Sequence, residues 1–166
     1  MHPLFTSHIV ADFLLQPARL VAWKKRSVAG IAVHAAIHGL LLAAMIAPAR
    51  PSVLASIALV AFLHGLIDFA KIKLQLEDGI GTSFLLDQIA HFIVLIITAA
   101  TLPLANPVWF TESGKGISSL LFFFSFAFAI KNIRKPQTVS PSARTLLILI
   151  TFLLFFIPAQ LIASSL

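Results

Sequence analysis

Cysteine is absent from this chain of 166 residues. Disulfides and thiolate metal sites are therefore excluded, and any metal must be held by nitrogen and oxygen ligands. Charge is scarce as well: 11% of residues are charged against 59% hydrophobic. No ordinary soluble domain reads this way, and apolar stretches of about eighteen residues or more argue for membrane-spanning helices. Strand alternation is not sustained over several segments, which disfavours a β-barrel. An all-α polytopic bundle is then the way to satisfy backbone groups in lipid. A basic stripe interleaved with aromatics is missing too. The net charge of +6 is read as a topology signal in short loops, and no nucleic-acid partner is expected. The opening residues, MHPLFTSHIVADFLLQ, lack a positive leading region, which argues against a cleaved signal peptide and for a retained first span.

The length allows a single transmembrane domain over 1–166, with about six helices of ~20 residues each. Residues 1–105 form a four-helix core and 106–166 two accessory apolar helices. Helix 1 is expected from about Pro3 to Val21, with Pro17 as a kink or local break. Helix 2 runs from an N-cap at Ser27 to Ala47, and helix 3 from Pro51, a good first-turn proline, to Gln75. Helix 4 starts near Thr82 or Ser83 and fades at Pro103. Helices 5 and 6 cover about Ile117–Ile133 and Ala143–Ser164, with Pro158 inside the latter. Glu77-Asp78-Gly79 reads as a turn and Asn106–Gly116 as a polar loop with an interfacial Trp109. Basic residues cluster in alternate connections: Arg19, Lys24, Lys25 and Arg26, then Lys71 and Lys73, then Lys131, Arg134, Lys135 and Arg144. That alternation predicts both termini outside and these three connections in the cytoplasm.

Within this apolar background, His or Asp recurs at a spacing of four on each of the first four helices. The pairs are His8/Asp12, His34/His38, His64/Asp68 and Asp87/His91. That spacing puts both side chains on one helix face, a turn apart. Ionisable groups in lipid are costly, and by default they mark function. Counted from the cytoplasmic end at 1.5 Å per residue, all eight fall in one slab roughly 10–20 Å deep. The order also tracks helix direction: His precedes Asp on helices 1 and 3, and Asp precedes His on helix 4. All three aspartates therefore lie on the cytoplasmic side of their histidines.

Five imidazoles and three carboxylates suit Zn, Fe or Mn, and are enough for two ions with positions left for water or substrate. The expected metal ligands are His8, Asp12, His34, His38, His64, Asp68, Asp87 and His91, forming a dinuclear centre. Gln16, four after Asp12, and Gln88, beside Asp87, can hydrogen-bond those ligands from behind. Lys71 shares the face of Asp68 and is placed to neutralise a phosphate or oxyanion, although snorkelling to the interface is the competing role. Lys24, Lys25 and Arg26 are read as topology signals. Gly39 and Gly65, each directly after a ligand histidine, let helices approach closely. His2 is read as solvated, and Glu77, Asp78 and Glu112 as loop charges. Taken singly, each pair is as readily a hydrogen bond that glues the bundle. Helices 5 and 6 carry no such pair. They fit a lipid shield, an acyl-chain surface or the interface of a homo-oligomer.

The strings HIVADFLLQ, HAAIH, HGLIDFAK and FLLDQIAH resemble the DUF3307 family over about residues 1–100. The resemblance implies a small multi-span protein of the bacterial inner membrane. It marks His8, Asp12, Gln16, His34, His38, His64, Asp68, Lys71, Asp87, Gln88 and His91 as motif positions and supplies no reaction.

The ligand set leads to a membrane-embedded metal-dependent hydrolase acting on a lipid or other hydrophobic (phospho)ester, with Asp68 and Lys71 in catalytic roles. Two ions would lower the pKa of a bridging water enough to give hydroxide at neutral pH. Its partners would be membrane lipid and a lipid-like substrate. The kind of ligand set is similar to that of HD-type phosphohydrolases, but no His-Asp dipeptide occurs here. A di-iron hydroxylase or desaturase ranks second, because HxxxH occurs once and HxxHH is missing. A non-enzymatic metal or proton carrier is a third class.

Overall fold

The computed structural model describes residues 3–46, 50–74 and 82–102, together with helical residues 119–121, 123–125, 127, 145–146, 148–153 and 156–157. Five α-helices are ordered along the first part of the chain: α1 Pro3–Ile9, α2 Ala18–Arg26, α3 Val28–Ile46, α4 Pro51–Lys73 and α5 Thr82–Thr101. A π-helical turn, Val10–Leu14, extends α1. Among the described residues there is no strand.

Three helices, Val28–Ile46, Pro51–Lys73 and Ser83–Thr101, are long and apolar enough to cross a membrane. Their outer faces carry Leu40, Leu54, Phe62, Leu66, Ile93 and Ile97, all exposed. Their inner faces hold His34, His38, His64, Asp68, Asp87 and His91. A soluble monomer rarely exposes so much apolar surface while burying so many ionisable groups. The arrangement is that of a membrane-associated bundle, apolar outside and polar at its centre.

The starts of the long helices follow from their sequences. Ser27 caps α3, its Oγ accepting from the Ala29 N–H at 3.1 Å. Pro51 opens α4 at a position where no intrahelical N–H is needed. In lipid there is little hydrophobic force between helices, so close packing of small residues matters more. The α3–α4 contact is of this kind. A Cβ added at Gly39 would sit 3.2 Å from Ala61 Cβ, and one at Gly65 would sit 3.2 Å from Ala35 Cβ.

The first expected helix is corrected by the structure. The break expected at Pro17 is there, but the bounds differ: α1 passes into the π turn, stops at Leu15-Gln16-Pro17 and restarts as α2, which runs past Val21 to Arg26. Pro17 has φ −66° and ψ 157°, an extended conformation that cannot continue a helix. Arg19, Lys24, Lys25 and Arg26 are therefore helical rather than loop residues. The α1 helix is also short, and all seven of its residues are buried. Between Asp12, which meets His34, and Lys24, whose backbone meets Gly30, the chain advances only four residues along α3. That is about 6 Å of helix axis, so α2 lies across the end of α3 and not along it.

Apolar packing completes the bundle around the polar centre. Phe5 faces Phe92 at 6.2 Å, and Phe13 meets Phe84 at 6.2 Å and Phe152 at 5.2 Å between ring centroids. Ile148 and Phe152 belong to the same core as Leu4, Phe5 and Leu42, which brings helical residues 148–153 against the first helices. The expected turn at 77–79, the loop at 106–116, Pro158 and most of the two accessory helices lie outside the described residues.

Candidate metal centre

The π turn is what presents Asp12. Leu15 N–H donates to the Val10 carbonyl at 3.0 Å, a step of five residues, which widens the helix around Asp12. Single π turns of this kind recur at functional sites. Here the turn directs the Asp12 carboxylate at α3 and α4.

Three imidazole nitrogens converge on one oxygen of that carboxylate. From Asp12 Oδ1, His38 Nε2 lies at 3.0 Å, His34 Nε2 at 3.1 Å and His64 Nε2 at 3.7 Å. Asp12, His34, His38 and His64 each offer a ligand atom within 4.8 Å of all the others. Two ligands of a tetrahedral ion bound at about 2.0–2.1 Å are separated by roughly 3.3–3.4 Å, which the three separations from Asp12 Oδ1 bracket. His64, Asp68 and His91 form a second group, their ligand atoms likewise within 4.8 Å of one another. Asp68 Oδ2 is 3.6 Å from both His34 Nε2 and His64 Nε2, so the two groups adjoin.

Proton placement independently fits a cation. His91 Nδ1 is 2.8 Å from the Asp87 carbonyl oxygen, which can only accept. Nδ1 therefore carries a proton, and in the neutral ring Nε2 keeps its lone pair. Among the described residues that buried Nε2 has no hydrogen-bond partner, and neither has the buried His64 Nε2. Orphaned buried nitrogens are rare and call for an explanation such as an ion. The Gln16 amide nitrogen lies 2.7 Å from His34 Nε2. The same ring nitrogen is 3.1 Å from Asp12 Oδ1, so His34 Nε2 stands between the Gln16 amide and the Asp12 carboxylate.

All eight residues of the four pairs gather in this centre, with different neighbours. His8 Nε2 is 3.5 Å from Asp12 Oδ2, and its ring is 5.0–5.5 Å from those of His38, His64 and His91. Asp87 lies outside both metal-capable groups. It accepts from Lys71 Nζ at 2.8 Å and holds His91 through its backbone carbonyl. Gln88 is buried, with its amide 3.4 Å from Asp87 Oδ2. His8, His38, His64 and His91 share a cavity with Ser7 and aliphatic residues, and its volume of about 10 Å³ is the space of one water.

Lys24 lies outside the set that the sequence predicts, yet its Nζ is 2.9 Å from both Asp68 oxygens. The contact spans 44 positions, which no local spacing reveals. Gly30 makes it possible. A Cβ there would lie 2.6 Å from Lys24 N and from Trp23 C, so only glycine lets α2 cross α3 closely enough to deliver Lys24.

A family model described as "Protein of unknown function (DUF3307)" matches residues 1–114, a span that includes the whole centre. No curated protein matches the chain, and no solved structure does.

Proposed function

This chain belongs to the DUF3307 family, and we propose that it is a membrane-embedded metalloenzyme that hydrolyses a lipid or other hydrophobic (phospho)ester. The observation that carries this reading is the convergence of His34, His38 and His64 Nε2 on Asp12 Oδ1 within apolar helices. Imidazole with carboxylate suits Zn, Fe or Mn. Such an ion would be held by Asp12, His34, His38 and His64, beside the adjoining group of His64, Asp68 and His91, and would supply Lewis acidity and a water of lowered pKa.

The chain's own groups supply the rest. The single-water cavity beside His8, His38, His64 and His91 is a seat for the attacking water. Gln16 and the Asp87 carbonyl fix the rings of His34 and His91. Lys71 and Lys24 bring two cations to the aspartate side of the centre, where charge on a phosphoester would develop. A centre enclosed by lipid-facing helices favours a substrate that is itself apolar. The proposed setting is the bacterial inner membrane, with α2 on the cytoplasmic side.

The test is turnover of chromogenic carboxylic and phosphoric esters by detergent-purified protein, alongside metal analysis. Asp68→Ala and His91→Ala are expected to abolish hydrolysis in correctly folded protein, and retained activity would end the hydrolase assignment. Iron with an oxo-bridge absorption would move the assignment to oxidation. Metal without turnover would move it to a carrier.

A further inference from the structure

Asp68 has two suitors. Its oxygens are 2.9 Å from the Lys24 ammonium, which bonds both of them, while Oδ2 also faces His34 and His64 at 3.6 Å. It is a member of the second metal-capable group with His64 and His91. A carboxylate gripped through both oxygens by an ammonium has its charge already compensated. A divalent ion entering that group must break the pair and meets electrostatic repulsion from Lys24. Asp12 has no such guard: its described neighbours are imidazoles.

Resting on the metal-centre reading above, we propose that Lys24 is a tethered cation seated at the second ion position. The chain then holds one divalent ion at Asp12, His34, His38 and His64, and the second seat fills only when Lys24 leaves Asp68. His64 goes to the first ion. The second seat is then made by both freed Asp68 oxygens, His91 Nε2, which has no hydrogen-bond partner among the described residues, and water. Lys71 cannot substitute as guard, because it is bound to Asp87 at 2.8 Å. The burial of the pair is consistent with a built device. The Lys24 side chain is 13% exposed and that of Asp68 4%, too enclosed for a surface ion pair.

The experiment is titration of the full-length protein in detergent with Co²⁺, read by metal analysis after gel filtration and by ligand-field absorption. Wild type is expected to retain one Co²⁺ per chain. Lys24→Met is expected to retain two, with a second set of absorption bands. Lys24→Gln keeps a hydrogen-bond donor for Asp68 without the charge and is the variant to use should Lys24→Met not fold; it too should take two. Lys24→Arg should stay at one, and Lys24→Gln combined with Asp68→Asn should return to one. Equal stoichiometry in wild type and Lys24→Gln overturns the role of Lys24 and leaves the first site standing. No Co²⁺ in any folded variant overturns the metal centre itself.

Discussion

At the residue scale, the decisive feature is where protons can and cannot be. His91 is held by its own helix carbonyl through Nδ1, and His64 Nε2 is buried with no hydrogen-bond partner among the described residues. Asp12 Oδ1 gathers three ring nitrogens. Asp12→Asn keeps the shape and removes the charge, and it is expected to lose metal from purified protein entirely. Gln16→Ala removes only a contact that holds the His34 ring, so metal affinity should fall about 10–100-fold while binding persists. Equilibrium competition with a chromogenic chelator measures both. The participants were legible from sequence to the extent that their partners are local. The i,i+4 spacing revealed His8/Asp12, His34/His38, His64/Asp68 and Asp87/His91, because a helix turn makes such pairs neighbours. Lys24 with Asp68, Lys71 with Asp87 and Gln16 with His34 are joined by tertiary packing across 44, 16 and 18 positions, and spacing carries no trace of that.

At the element scale, the break in the first helix shapes the site more than the long helices do. A continuous helix through Pro17 would run along α3 and carry Lys24 past the centre. The π turn, the extended Pro17 and the crossing at Gly30 fold α2 back over Asp68 instead. Proline at 17 signalled an interruption, but neither the π turn nor the direction of α2 is encoded in any periodicity. Gly30 and Gly39 should accordingly differ in their tolerance of alanine. At Gly30 a Cβ meets backbone atoms at 2.6 Å, which cannot yield without moving α2. Gly30→Ala should therefore destabilise by about 1–3 kcal/mol and free Asp68 from Lys24. At Gly39 the neighbours are side-chain methyls, Ala61 Cβ at 3.2 Å and Ile57 Cγ2 at 4.0 Å, and the effect should be smaller. Thermal melting in detergent, with Co²⁺ stoichiometry as the second readout, separates them. Loss of the Lys24 contact should raise the Co²⁺ count in Gly30→Ala only.

At the scale of the whole molecule, the chain reverses the soluble pattern: ionisable groups inside, leucine and phenylalanine outside. This was the most legible property of all, since composition alone sets it, and three helices meet the length and apolarity of a span. The absence of cysteine makes its orientation directly measurable, because any introduced thiol is unique. Arg19→Cys and Trp23→Cys, exposed on α2, should react with a membrane-impermeant maleimide in opened cells and stay protected in intact ones. Phe62→Cys, exposed on a spanning face, should resist labelling in both. Labelling of Arg19→Cys in intact cells would reverse the proposed orientation. The measurement that bears most directly on the central claim is X-ray absorption combined with elemental analysis of the detergent-purified wild-type chain. A bound Zn, Fe or Mn is expected, with only nitrogen and oxygen ligands at about 2.0–2.1 Å and imidazole scattering, lost in Asp12→Asn. A folded chain that carries no transition metal after exposure to all three, or whose metal survives Asp12→Asn unchanged, would contradict it.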